Sequence, residues 1–207
     1  MGTPRGLPLL GGGQDRGLAY PSPVASRSCR RQALHETSRA FLEAGPHPQQ
    51  LAAVLATRLA DLIGGGCIIR GPVERAPSLP LACAHTIASS LEALRQTFET
   101  SPHALAFACS AQAAHTRRPI LLPLVSSEVL QLWTQPAARP YLDQYQVCSM
   151  LVAPIRSAQQ VLATIVLWRE HPCRPLGDSH ALLLAEVANR IAPALSISKH
   201  RQRRQAC

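Results

Sequence analysis

Lysine and aromatic side chains are scarce in this sequence. Lys199 stands alone against twenty arginines, and two tryptophans, three tyrosines and three phenylalanines are the only aromatics in 207 residues. So few rings, with none interleaved among the basic residues, leave no stacking set for single-stranded nucleic acid, and no helix-turn-helix spacing or zinc finger is present. The seven cysteines, at 29, 67, 83, 109, 148, 173 and 207, contain no Cys-x-x-Cys pair and are odd in number. That excludes a zinc ribbon and a disulfide framework, and buried thiols in a reducing compartment are expected. Apolar runs such as 161–168 are strand-length, well short of the roughly 20 residues of a membrane span. Leu7–Leu10 is too short for a signal-peptide core, and Arg30–Arg31 lead into a polar stretch. A cytoplasmic protein with no membrane partner is expected.

What charge there is lies at the ends. Arg5, Arg16, Arg27, Arg30 and Arg31 against Asp15, together with Lys199, Arg201, Arg203 and Arg204, hold almost all of the net charge of +9. Residues 1–30, rich in glycine and proline and without a periodic apolar face, read as a disordered basic leader. Residues 199–207 read as a basic tail that ends a solvated helix, and nucleic acid is not expected as a partner. The domain between them, 31–198, is nearly neutral.

Within the domain, Leu34, Ser38, Phe41 and Leu42 recur at helical spacing until Gly45-Pro46. Leu51, Leu55, Leu59, Leu62 and Ile63 do the same until Gly64-Gly65-Gly66. Cys67–Ile69 and Leu79–His85 read as strands, the second with Leu79, Leu81, Cys83 and His85 on one side. Ile87, Leu91, Leu94 and Phe98 give a third helix and 105–116 a fourth. Ile120–Leu122 is a strand, short helical turns fall at 128–133 and 141–145, and 147–155 with 161–168 form a hairpin. Asp178 is expected to cap a long closing helix carrying Leu183, Val187 and Ile191, with Pro193 kinking it or starting a fresh helix. Helices packed on an antiparallel sheet, an α+β fold, follow from this order.

The pair of helices 34–44 and 51–63, Leu121-Leu122-Pro123, Tyr141–Val147, Ser149–Ile155 with its Val152-Ala-Pro-Ile155 signature, 161–169 and 178–194 together resemble a GAF domain. The version resembled is that of bacterial sensor histidine kinases and their stand-alone relatives. The resemblance implies a GAF-like (PAS/GAF-type) fold. Its antiparallel sheet has five to six strands, with the first and last helices on one face and pocket-forming helices on the other. It implies a non-catalytic sensory module that binds a small molecule, with His85, Phe107, Ser110, His115, Tyr145 and Ser149 at the ligand. It also implies a homodimer through the first and last helices, in which Leu34, Phe41, Leu183, Val187 and Ile191 face inward or toward the partner. No output domain follows in the sequence, so a histidine kinase or another output protein is the expected signalling partner. The hairpin turn 157–160 lacks the family's usual glycine.

Other readings of the same residues are weaker. Cys83-x-His85 puts two metal-ligand types on one strand face, and loosely resembles the pair by which some GAF relatives attach a bilin. No third ligand is spaced to join them and the bilin signature is missing, so packing is the expectation and no cofactor is named. Gly177-Asp-Ser-His-Ala181 matches four of five nucleophile-elbow positions, but the only later histidine, His200, lies in the basic tail, and the segment reads as a helix start. The alternative function is a cysteine-dependent free methionine sulfoxide reductase using Cys83, Cys109 and Cys148, or a pure dimerisation scaffold.

Overall fold

The computed structural model describes residues 34, 35, 39, 48–71, 80–105, 107–158, 160–170 and 175–205. The leader at 1–30 and most of the first expected helix, including Phe41, lie outside the described residues, although Leu34 and His35 are helical. Helix α1 (Pro48–Ile63) leads into β1 (Gly66–Arg70) and β2 (Pro80–His85). Helices α2 (Ala88–Thr100) and α3 (Ala108–Thr116) come next, then β3 (Ile120–Leu122), α4 (Ser127–Trp133), a single 3-10 turn and α5 (Arg139–Gln144). Strands β4 (Ser149–Arg156) and β5 (Val161–Arg169) and the closing helix α6 (Asp178–Gln205) complete the order.

The five strands form one antiparallel sheet in the order β2-β1-β5-β4-β3. The middle strands β1, β5 and most of β4 are buried on both faces, so two separate apolar clusters line the sheet. On one face α1 and α6 pack Leu51, Leu55, Leu59, Leu183, Val187 and Ile191 against Ile69, Leu151 and Ile165, and Leu34 joins them. On the other face α2 to α5 pack Leu94, Phe107, Leu130, Tyr141 and Leu142 against Ile68, Met150, Val152, Val166 and Trp168. Each large apolar side chain so buried contributes about 1.5–3 kcal/mol.

Leu183, Val187, Ile191 and Leu34 face inward, the first of the two orientations expected of them, and cover the sheet within a single chain. Two expectations are corrected here. Leu81 packs on the long-helix face while Cys83 and His85 lie on the other. The register slips between Ile69 and Arg70, pairing them with Ala82 and Pro80, so a β-bulge interrupts the alternation. Pro193 neither ends α6 nor starts a new helix: the helix runs on to Gln205, so residues 199–205 are its last turns. Ile191, Ala192 and Leu195 are buried on both sides of the exposed proline, and that burial offsets the missing N–H.

The start of α6 also differs from expectation in detail. Asp178 is its first helical residue, and the reciprocal capping bond comes from His180, whose Nδ1 accepts from Gly177 N–H at 3.1 Å. At the other end of this face α1 stops at Gly64, whose φ of 65° favours a residue without Cβ, and Arg169 Nε donates to the Ile63 carbonyl at 2.6 Å.

Candidate functional site

The polar part of the short-helix face is built from the end of β5. Trp168 and Glu170 are two residues apart and so share a side of the extended chain. Trp168 pairs with Gly66 of β1, and Gly66 pairs with His85 of β2. A Cβ at Gly66 would fall inside the Trp168 ring. The last of the three consecutive glycines is therefore what seats a fully buried tryptophan beside His85, with ring centroids 6.0 Å apart. Tyr141 of α5 stands edge-on to Trp168 at 6.4 Å and stacks at a tilt on Tyr145 at 5.0 Å.

Glu170 lies among these rings. Its Oε1 accepts from the Tyr141 hydroxyl at 2.9 Å and from Trp168 Nε1 at 3.4 Å. His85 Nε2 is 3.1 Å from the same oxygen, although off the line of its N–H bond, so this contact is electrostatic rather than an aligned hydrogen bond. Ser90 of α2 donates to Oε2 at 3.3 Å. The backbone N–H of Ile87 donates to His85 Nδ1 at 3.0 Å. Burial pushes the Glu170 carboxyl toward a higher pKa, but His85, Tyr141 and Trp168 together outweigh it and hold the group below its ordinary value. Burial first, and then the Glu170 charge, push the Tyr141 phenol up, so it stays a donor. One carboxylate thus ties β2, α2, α5 and β5 together at the start of the segment that enters α6.

The structure brings some of the expected ligand residues together and separates others. His85, Phe107 and Ser110 are buried at the short-helix face, and Tyr145 is half-buried there. The Ser110 hydroxyl has no hydrogen-bond partner among the described residues, and neither has that of Thr164 on β5. His115 is exposed near the end of α3. Ser149 is on the wrong face: it alternates with Met150 and its Oγ accepts from Leu176 N–H at 3.1 Å, fastening the approach to α6. Glu170 and Ser90 escaped the sequence reading. The alternation Trp168-x-Glu170 carried the signal, but nothing local marks a carboxylate just past a strand end as inward-facing. Farther along β1, Arg70 is buried with its guanidinium 5.6 Å from the Phe98 centroid, and burial lowers its pKa to about 10.

The thiols are scattered. Cys67 is buried on the long-helix face, where burial, with Cys83 nearby, pushes its pKa up. Cys109 is buried on the other face with its sulfur 3.6 Å from that of Met150, and burial pushes its pKa to about 11. Cys83 and Cys148 are half-buried and are also raised by burial. No group of three His, Cys, Asp or Glu side chains suited to a metal ion occurs among the described residues.

A family model described as GAF domain matches residues 47–195. The chain belongs to the GAF family. Solved structures similar to this GAF domain include the free methionine-R-sulfoxide reductase of Neisseria meningitidis in complex with its substrate. It has a TM-score of 0.61 and 13% identity, with 86% of this chain and 95% of that one covered. The GAF domain of a phosphoenolpyruvate-protein phosphotransferase from Coxiella burnetii gives 0.60 and 15%, covering 87% and 96%. Its counterpart from Acinetobacter gives 0.59 and 13%, covering 84% and 93%. No curated protein sequence matches the chain. At these identities the structural likeness establishes the GAF fold, five antiparallel strands with helices on both faces, and nothing finer.

Proposed function

We propose that this GAF domain is a non-catalytic sensory or regulatory module that binds a small molecule at its short-helix face and passes the change to α6. The observation that carries this reading is the position of Glu170. Its carboxylate gathers side chains from β2, α2, α5 and β5, and its backbone opens the segment leading to Asp178, the first residue of α6. A ligand that moves α2 or α5 pulls on the root of the closing helix, and the coupling equals its difference in affinity for the two arrangements. His85, Phe107, Ser110 and Tyr145 remain the proposed ligand residues. Signalling runs through a partner protein, with a cytoplasmic setting and a homodimer built around the terminal helices. The dimer surface is not the sheet-facing stripe but the outer side of α6, where Leu182, Asn189, Arg190 and Pro193 are exposed. No helix among the described residues is long and apolar enough to cross a membrane.

A cysteine-dependent reductase on the same fold would need an accessible thiolate. Burial pushes the Cys83, Cys109 and Cys148 thiols up, away from the thiolate form, with the Glu170 charge adding to the effect at Cys148, which favours the sensory reading. A thermal-shift survey with amino acids, cyclic nucleotides, haem and bilins tests it, because a ligand at 100 times its dissociation constant adds about 2.7 kcal/mol. Stabilisation by one class without turnover is the expected result. Turnover of free methionine sulfoxide would overturn it, and a chain that no compound stabilises would be a scaffold.

A further inference from the structure

One corner of the molecule is built from elements that bring arginines to it and no carboxylates. Helix α3 ends at Thr116, and Arg117 reverses the chain in the left-handed region, with φ 56° and ψ 27°. Glycine takes that conformation freely and a residue with a Cβ does so under strain. Only Arg118 and Pro119 then separate the turn from β3. Arg156 reaches back from the end of β4, and its Nη1 donates to the Arg117 carbonyl at 3.2 Å. That carbonyl belongs to the peptide bond between Arg117 and Arg118, so three arginines meet at one peptide unit, and all three are exposed. Beyond Arg156 the hairpin turn is closed by Ser157, whose N–H donates to the Gln160 carbonyl at 2.9 Å and whose Oγ accepts from Gln160 N–H at 3.2 Å. Neither Arg118 nor Arg156 has an ion-pair partner among the described residues. No Asp or Glu occurs in 101–127 or 144–169, the stretches that supply α3, β3 and the hairpin. The carboxyl-terminal end of α3 offers roughly half a negative charge, less than the Arg156 guanidinium that faces it brings, which leaves the Arg118 charge unmatched.

We infer that this corner is a docking surface for an acidic segment of a partner protein, whose carboxylates are taken by Arg118 and Arg156. A guanidinium fork matches a carboxylate through two parallel hydrogen bonds, and the bond to the Arg117 carbonyl fixes where Arg156 starts from. Other anionic partners fit this surface less well. Small ligands are held by enclosure, and these arginines are exposed. Lipid surfaces are held stably when an apolar group inserts beside the charge, but the exposed large apolar side chains are Ile87, Leu124, Leu132 and Leu182, none of them in the turn 116–119 or the hairpin turn. Single-stranded nucleic acid needs rings to stack on, and no Phe, Tyr or Trp occurs in 108–122 or 149–160. The inference goes beyond the sensory reading and does not depend on it. Arg156 pairs with Val161 at the start of β5, whereas Glu170 follows the other end of that strand, so a chain that bound no small molecule would present the same surface.

Fluorescein-labelled hexaglutamate, titrated with the full chain at low ionic strength and followed by fluorescence anisotropy, tests the assignment, with hexaglutamine as control. Saturable binding of hexaglutamate that weakens as salt rises, and none of hexaglutamine, is expected. The double variant Arg118→Gln with Arg156→Gln should raise Kd about tenfold, a loss of about 1.4 kcal/mol. Arg201→Gln with Arg203→Gln removes the same charge from the end of α6 and should raise it less than about twofold, since charges far from the contact are screened. If Arg156→Gln, which also gives up the bond to the Arg117 carbonyl, lowers the melting temperature, Arg118→Glu alone carries the test and should weaken the peptide about as much. Absence of binding, or equal losses in the corner and α6 variants, overturns the inference. So does tighter binding of polyuridylate or of phosphatidylserine vesicles that the corner variant abolishes, which would give the surface to nucleic acid or to lipid. A chain that binds hexaglutamate through Arg118 and Arg156 but is stabilised by no small molecule keeps this surface and loses the sensory reading, so the two fail separately.

Discussion

Single side chains set the chemistry at each face of the sheet, and their surroundings fix how they titrate. His180 sits beside Arg169 with its Nε2 3.5 Å from the guanidinium; burial first, and then that positive charge, lower its pKa below the ordinary 6.5. The unfolded chain therefore takes up a proton at His180 at a pH where the folded chain does not. This contribution to stability is complete above about pH 6.5 and declines as pH falls below it. Urea denaturation across pH 5 to 8 should show the decline, and His180→Gln, which keeps an acceptor for Gly177, should reduce it. Below that window Glu170 acts in the same direction: its depressed pKa supports the fold above the ordinary value of 4.5 and ceases to do so in more acid solution. The thiols make a second measurable series. Cys67 and Cys109 are buried and Cys83 and Cys148 half-buried, so mass spectrometry of iodoacetamide-treated native protein should find Cys148 and Cys83 modified before Cys109 and Cys67. Early modification of Cys109 would contradict its contact with Met150.

At the scale of elements, the helices and strands are legible where one residue type repeats at a fixed period. The five apolar positions of α1 and the stretch opening at Asp178 state their own length, and strand 161–169 needs only its continuous apolar run. Legibility fails where a single residue changes face. The bulge opposite Ile69 and Arg70 puts Leu81 on the other side from Cys83, and Ser149 turns toward Leu176 although its neighbours Met150 and Leu151 are as apolar as any pair in the chain. Pro193 allows either a kink or a fresh helix; the fresh start is excluded because buried contacts before and after it hold one helix together to Gln205. Glu170 is invisible because, beyond Trp168 two residues away, its partners come from three elements distant in sequence. Two substitutions test the packing. Gly66→Ala should displace Trp168 and cost about 1–3 kcal/mol, the usual range for overpacking, with a change in tryptophan fluorescence. Val187→Glu places an unpaired charge between α6 and the sheet and should abolish cooperative unfolding, whereas a residue serving only a subunit contact would leave a folded monomer.

The whole molecule is a nearly neutral two-faced core with basic ends, and its boundaries follow from what each end buries. The GAF match opens at residue 47, yet Leu34 is 6% exposed and belongs to the cluster under α1 and α6. The fold therefore begins ahead of the family match, in the helical turn that carries Leu34. Residues 1–28 have six glycines and four prolines and no repeating apolar face, so the core is expected to need nothing from them. A chain starting at residue 29 should keep the melting temperature of the full protein within error. A chain starting at residue 41 loses Leu34 and exposes the apolar surface it covered, a cost of about 1.5–3 kcal/mol for one leucine before any loss of helix is added. Calorimetry of the two truncations separates the cases. If both melt with the full chain, Leu34 is a passenger on the surface of α1 and α6. If both melt early, the leader holds a contact that its composition does not betray. The expected difference between them places the start of the structural unit between residues 29 and 41.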